Sequence, residues 1–176
     1  MSQRSRQHGR IRAKIFLVVS LLLFACTLYV FHRAPMVYQD EVCKIFYQYP
    51  SWYRDAKKVS QRWQLPIPVQ MAIIHQESHF RATAKPVKAK LLGIFTVHTT
   101  SAVGYSQAVN ETWRAYLKQT NQISADREDF SAASDFIGWF SEGANKQLGI
   151  RKSDAYRLYL AYHEGLGGIS ETELPK

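Results

Sequence analysis

The sequence predicts an all-α (mainly α) domain preceded by one N-terminal transmembrane helix, and three observations predict it. From about position 36 to 165, apolar residues recur at helical spacing and are interrupted by proline and glycine where helices stop. No credible strand pair, internal repeat or low-complexity tract accompanies them. Residues 15 to 31, IFLVVSLLLFACTLYVF, run 17 positions without a charge. With 176 residues, 46% of them hydrophobic, the chain has material for one sizeable core and not for two.

The N-terminal segment accounts for most of the charge. The formal net charge is +9, but Arg4, Arg6, Arg10, Arg12, Lys14 and Arg33 contribute +6 of it within the first 35 residues, where no acidic residue occurs. The remainder is close to balanced, which argues against a nucleic-acid footprint. Residues 1–14 therefore form a basic cytoplasmic tail and 15–31 a transmembrane anchor or signal segment, with the domain at 36–176 translocated. A cleaved signal peptide and a lipidated Cys26 compete with the anchor, because LFAC resembles the lipobox of bacterial lipoproteins. Phe24 is bulky for that motif and the apolar run continues five residues past Cys26, so the anchor is favoured. Cys43 has no partner in the exported part and is expected to be a small buried hydrophobe.

Within the domain, positions 36–50 give a connector and a first helix. SWYRDAKKVSQRW follows with Ser51 as its N-cap and Trp52, Ala56, Val59 and Trp63 near one face. Leu65-Pro66-Ile67-Pro68 breaks that helix, and Pro68 suits the first position of the next, which runs to about His79 and should be the central helix of the core because its apolar residues cover more than one face. Residues 81 to 103 lose helical periodicity and are expected to be a loop or insertion; Lys85, Lys88 and Lys90 there are ascribed to a solvated surface. SQAVNETWRAYLKQT resumes a helix, a longer one covers about Glu128 to Leu148 with Gly149 as its cap, and a last one runs from Ser153 to Gly165.

The stretch IIHQESHF, residues 73 to 80, is the chemical centre of the sequence. His75 and His79 share a helix face, the geometry two zinc ligands need, but Glu77 follows the first histidine by two positions and points elsewhere, and no third ligand is spaced nearby. Glu77 itself closes an apolar helix. Low dielectric and the negative end of the helix both disfavour its carboxylate and raise its pKa, as a general acid near neutral pH requires.

Three segments in order, Glu77-Ser78-His79-Phe80, Gly104-Tyr105-Ser106-Gln107-Ala108 and Ala161-Tyr162-His163-Glu164-Gly165, resemble the ESxF, GLMQ and AYNAG motifs of SLT-type lytic transglycosylases. The resemblance spans about Val69 to Ile169 and extends, through GYSQAVNETW, DFIGWF and AYRLYLAYHEG, to a short membrane-associated subgroup. Three departures accompany it: 27 positions separate Glu77 from Gly104, His163 stands where the motif has Asn, and the chain ends seven residues after Ile169.

The resemblance implies a lysozyme-like fold and cleavage of the β-1,4 bond between N-acetylmuramic acid and N-acetylglucosamine, giving a 1,6-anhydromuramyl product. Glu77 would be the single acid and base, assisted by the substrate's acetamido group. Ser78 would support the acid or touch substrate, Gln107 would bind sugar, Tyr162 would orient the acetamido group, and His163 would line the substrate site. Tyr105 is the expected sugar-facing ring and Glu164 a conceivable second acid. No cofactor or metal is implied. The partners are peptidoglycan glycan strands and the bacterial inner membrane, with the domain in the periplasm. A lysozyme-like hydrolase and an inactive membrane-anchored wall-binding scaffold remain the alternatives.

Overall fold

The computed structural model describes residues 14–27, 41–86, 89–91, 95–97 and 100–168. The chain divides into two units, Met1–Val37 and Tyr38–Lys176. In the first, residues 14–27 form helix α1, with exposed side chains from Ile15 to Phe24. Among the described residues no helix is long and apolar enough to cross a membrane. Positions 28–31 of the expected anchor, and residues 1–13 of the basic tail, lie outside the described residues, as do Lys88, Gly93 and the segment from Ile169 onward.

The second unit contains α2 (Val42–Gln48), α3 (Pro50–Trp63), α4 (Ile67–Ser78), α5 (Asn110–Thr120), α6 (Phe130–Leu148) and α7 (Ala155–Glu164). Helix α3 starts one residue before the expected cap. Pro50, which has no N–H to leave unsatisfied, takes the first turn, so Ser51 is inside the helix and is no N-cap. Trp52, Ala56 and Val59 are buried at helical spacing as expected. Cys43 is exposed, a correction: α2 buries only Ile45, and two residues earlier along a helix is the opposite side.

Helix α4 is buried at Val69, Gln70, Met71, Ile73, Ile74 and Ser78, hence on more than one face. It is not the hub. Helix α6 packs against α3, α4, α5 and α7, and its 19 residues are mostly buried from Phe130 to Leu148. Its ends follow sequence logic: Asp129 caps the start by accepting from the Ala132 N–H at 2.9 Å, and Gly149 ends it in the left-handed region (φ 65). Asp154 caps α7 in the same way through the Arg157 N–H.

Between α4 and α5, the segment expected to be a loop carries a two-stranded antiparallel hairpin, β1 (Ala89–Leu91) with β2 (Phe95–Val97), Lys90 opposite Thr96. Strands of three residues are too short to produce an alternation that can be told from a loop. The element order is therefore α2-α3-α4-β1-β2-α5-α6-α7, mainly helical, as a lysozyme-like domain requires.

Two features hold the helices around α6. Trp52 of α3 stacks flat on Phe130, centroids 4.1 Å apart, with Tyr105 edge-on to both. Asp135, 8% exposed, accepts from the Arg62 guanidinium (3.1 Å), Trp63 Nε1 (2.7 Å), Tyr116 Oη (3.0 Å) and Gln122 Nε2 (2.8 Å). That one carboxylate ties α3, the end of α5 and α6 together, with each lone pair directed to a donor.

Candidate active site

Glu77 sits in the last turn of α4, after which His79 (φ 50) and Phe80 (φ 58) take left-handed conformations. That reversal returns Phe80 to the core, 4% exposed, against Trp52. It leaves Glu77 at the boundary between core and solvent. The carboxyl group is only partly exposed, and burial pushes its pKa from the ordinary 4.5 to about 7, opposed by the charge of His163. A group so placed is substantially protonated near neutrality and ionises within the same range, which suits one residue acting first as acid and then as base.

Ser78, its neighbour, is 1% exposed and donates its hydroxyl to the Ile74 carbonyl at 3.0 Å. It belongs to the core side of the helix end. Of the two roles expected for it, contact with substrate has no surface to work through. Arg81 Nε donates to the Ser78 carbonyl (3.0 Å), satisfying part of the helix terminus.

The second segment is a tight turn anchored at both ends. Gly104 has φ 83, and a Cβ there would lie 2.1 Å from the Arg127 carbonyl oxygen, so this position needs glycine on both counts. Its N–H donates to the Ala84 carbonyl (3.0 Å). Gln107, also left-handed (φ 48), sends Nε2 to the carbonyls of Ala84 (2.9 Å) and Gly104 (2.8 Å). With the amide nitrogen committed, Oε1 remains as the acceptor that a sugar hydroxyl or N–H would meet. The guanidinium of Arg127 braces the turn from outside, donating to the Ser101 and Ala108 carbonyls and to Asn110 Oδ1.

Tyr105 does not face a groove. Its ring is 8% exposed inside the Trp52–Phe130 cluster, and burial pushes the phenol up to about 12. The turn that leaves Gln107 half-buried directs the residue two positions earlier inward, and the aromatic side chain fills the core.

From the third segment, Tyr162 donates its hydroxyl to the Ser106 carbonyl at 2.6 Å and packs edge-on against Phe140, centroids 4.8 Å apart. Burial raises its pKa well above 10, and the Glu77 carboxylate adds to the rise. The phenol is therefore neutral, with its proton committed and its oxygen lone pairs available. Tyr159, one turn earlier, is also raised by burial and by Glu77, whereas Tyr156 is exposed. The tyrosine stripe of α7 thus has two members beside the acid and one in solvent. His163 is exposed, lies 6.4 Å from Tyr159 between ring centroids and pairs through Nδ1 with Glu164 Oε1 at 3.0 Å.

The three segments accordingly converge. The turn is bonded to the segment after α4 through Ala84 and to α7 through Tyr162, and α7 places Tyr159, Tyr162 and His163 in the electrostatic field of Glu77. Sequence reasoning missed Tyr159 and Arg127. Tyr159 was hidden because a Tyr156-Tyr159-Tyr162 stripe is equally a core pattern, while Arg127 acts on backbone carbonyls that no pattern marks. His75 and His79 do stand together, centroids 4.8 Å apart, yet among the described residues no group of three His, Cys, Asp or Glu side chains could hold a metal.

A family model described as the transglycosylase SLT domain matches residues 14–175. No curated protein and no solved structure matches the chain.

Proposed function

Because the chain belongs to the transglycosylase SLT-domain family, a family of peptidoglycan-cleaving enzymes of the lytic transglycosylase type, we propose that Glu77 is its single catalytic acid and base. The observation that carries this is the partly buried carboxyl at the end of α4, raised to about 7 and faced by Tyr159, Tyr162 and His163.

In the first step Glu77 gives its proton to the oxygen bridging N-acetylmuramic acid and N-acetylglucosamine, and the C1–O bond breaks. The acetamido oxygen of the muramyl residue bonds to C1 as it does so, which replaces the second carboxylate that retaining glycosidases hold about 5 Å from the acid. Tyr162 supports this step: with its O–H donated to the Ser106 carbonyl, its oxygen accepts from the acetamido N–H and turns the acetamido carbonyl toward C1. Gln107 Oε1 accepts from a neighbouring sugar group. In the second step the Glu77 carboxylate takes the proton of the muramyl 6-hydroxyl, O6 bonds to C1 and the acetamide reopens. The acid is restored and the product is the 1,6-anhydro sugar.

Anchoring by the apolar segment 15–31 would confine this reaction to glycan near the bacterial inner membrane, on its periplasmic side. The uncharged run of residues 15–31 and the basic residues before it motivate that placement. Membrane fractionation without detergent tests it, and recovery of the chain in the soluble fraction refutes it.

Mass analysis of muropeptides released from purified sacculi tests the chemistry. Anhydromuramyl ends from the wild type and none from Glu77→Gln are expected. Reducing ends would replace the cyclisation by hydrolysis, and equal release by both proteins would remove Glu77 from the reaction.

A further inference from the structure

We infer that Tyr159 is a further substrate-contacting residue beside Glu77: its phenol O–H holds the 6-oxygen of the muramyl residue next to C1, so that the sugar closes on itself instead of being taken by water. This role deepens the functional reading above and rests on it.

Helix α7 packs against α4 and α6, and Leu158 and Ala161 mark its buried side. At 3.6 residues per turn Tyr162 adjoins that side, His163 faces solvent, and Tyr159 falls between them, half-buried at the border of core and water. The two phenols differ in what they have left to offer. Tyr162 donates its O–H to the Ser106 carbonyl at 2.6 Å, which leaves it an acceptor. The Tyr159 hydroxyl has no hydrogen-bond partner among the described residues, and neither does the Glu77 carboxyl. The Glu77 carboxylate nonetheless acts on both phenols, so it stands close to Tyr159 without being bonded to it. A half-buried tyrosine hydroxyl normally finds a partner, and a ligand atom lying between these two groups supplies one.

Ring chemistry assigns that atom. In the pyranose C1 is flanked by C2, which carries the acetamido group, and by the ring oxygen, beyond which C5 carries the 6-hydroxymethyl. The two substituents therefore leave the ring on opposite sides of C1. With Tyr162 accepting from the acetamido N–H, the 6-hydroxymethyl falls toward the other phenol, one helical turn away. O6 needs a donor there, because its own proton goes to Glu77. In the second step the carboxylate takes that proton, and one O6 lone pair bonds to C1 as the bond from C1 to the acetamido oxygen breaks. The other lone pair keeps the hydrogen bond from Tyr159. The phenol retains its proton throughout, since burial and the Glu77 carboxylate raise its pKa from the ordinary 10. O6 held in this way attacks from a fixed orientation, whereas water has to find C1 unassisted.

Tyr159→Phe in the full chain deletes the hydroxyl and keeps the ring. Muropeptides that it releases from purified sacculi are sorted by mass into anhydromuramyl and reducing ends. The share of reducing ends is expected to rise at least about fivefold over wild type, with a loss of about tenfold in total rate. The thermal midpoint should match wild type, because the hydroxyl has no protein partner to lose. Activity should still decline above about pH 7, because a neutral phenol does not set the ionisation of Glu77. A decline moved to another pH would make Tyr159 a partner of Glu77 and not of O6, which overturns the role. A wild-type ratio of products in the variant overturns it at any rate, because a residue that only packs lowers both products together. Anhydromuramyl ends from the wild type with that unchanged ratio remove Tyr159 alone. Reducing ends only, or no release, from the wild type overturn the cyclisation reading and this role with it.

Discussion

Glu77→Gln separates a buried working acid from an ordinary surface glutamate by its effect on stability as well as on rate. In the folded protein Glu77 holds its proton up to about pH 7, against 4.5 in the unfolded chain. The folded state therefore binds the proton more tightly. The protein is most stable with respect to this group below about pH 4.5, loses stability as pH rises from there, and has lost the full amount above about 7. At 1.36 kcal/mol per pKa unit the loss is at most about 3 kcal/mol, an upper figure because the group keeps some contact with water. Glutamine keeps the shape and cannot ionise, so it escapes the loss. Wild type and variant should melt together at pH 4 and differ at pH 8.5, with the variant higher by up to roughly 6–12 °C on the scale for domains of this size. Thermal unfolding followed by near-ultraviolet circular dichroism at both pH values measures it. Activity of the wild type should decline above about pH 7 as the acid ionises, and the variant should lose about 10²–10⁴-fold in rate. Equal melting differences at the two pH values, or a carboxyl carbon of Glu77 titrating near 4.5, would refute the assignment.

Other substitutions read different parts of the same structure. Asp135→Ala leaves the donors of Trp63, Tyr116 and Gln122 without their shared acceptor and should cost about 3–5 kcal/mol in urea unfolding, with no change in product type where the protein still folds. Tyr162→Phe removes the bond to the Ser106 carbonyl and the acceptor for the acetamido N–H; about 1 kcal/mol of stability and a larger, roughly tenfold or greater, loss of kcat on sacculi are expected. Gln107→Gly relieves the left-handed backbone at that position but deletes the amide, so stability should hold within about 1 kcal/mol while KM for glycan rises. A fall in kcat alone would place Gln107 outside substrate binding.

The parts of the fold legible in advance were those fixed by local chemistry. Gly149 and Gly165 marked helix ends, Leu65-Pro66 marked the break between α3 and α4, and the apolar surround of α4 marked a buried helix ending at Glu77. What escaped was set by tertiary partners. Asp135 sits on the buried face of α6, and nothing nearby in sequence announces that Arg62, Trp63, Tyr116 and Gln122 will meet there. Tyr105 reads as a sugar-facing ring because it lies between Gly104 and Ser106 in a turn, yet its ring packs against Trp52 and Phe130. Cys43 failed for the converse reason: a thiol is usually buried, but α2 buries only Ile45. Glu77, Gln107 and Tyr162 were identifiable as a set only because their segments resemble one family's motifs in order; helix periodicity alone distinguishes Tyr162 from core no better than it does Tyr159.

The nature of the charge that reaches Glu77 bears on how one acid can suffice. A protein nucleophile of the retaining kind would be a second carboxylate about 5 Å away, and its negative charge would push the pKa of Glu77 further up. Among the described residues the charge acting on Glu77 is that of His163, which pulls it down. Glu164, the other carboxylate at the end of α7, is exposed and turned to the His163 imidazole at 3.0 Å. The remaining groups near Glu77 on α7 are neutral phenols, whose oxygens accept and donate hydrogen bonds but do not trap a sugar cation at neutral pH. That arrangement is what the proposed mechanism needs, in which the substrate itself would capture the electrophilic carbon through its acetamido oxygen and afterwards its 6-hydroxyl. In the mechanism proposed above, the histidine in place of the motif's asparagine has a definite consequence: its charge stabilises the carboxylate form of Glu77, which makes the group a stronger acid in the first step and a weaker base in the second.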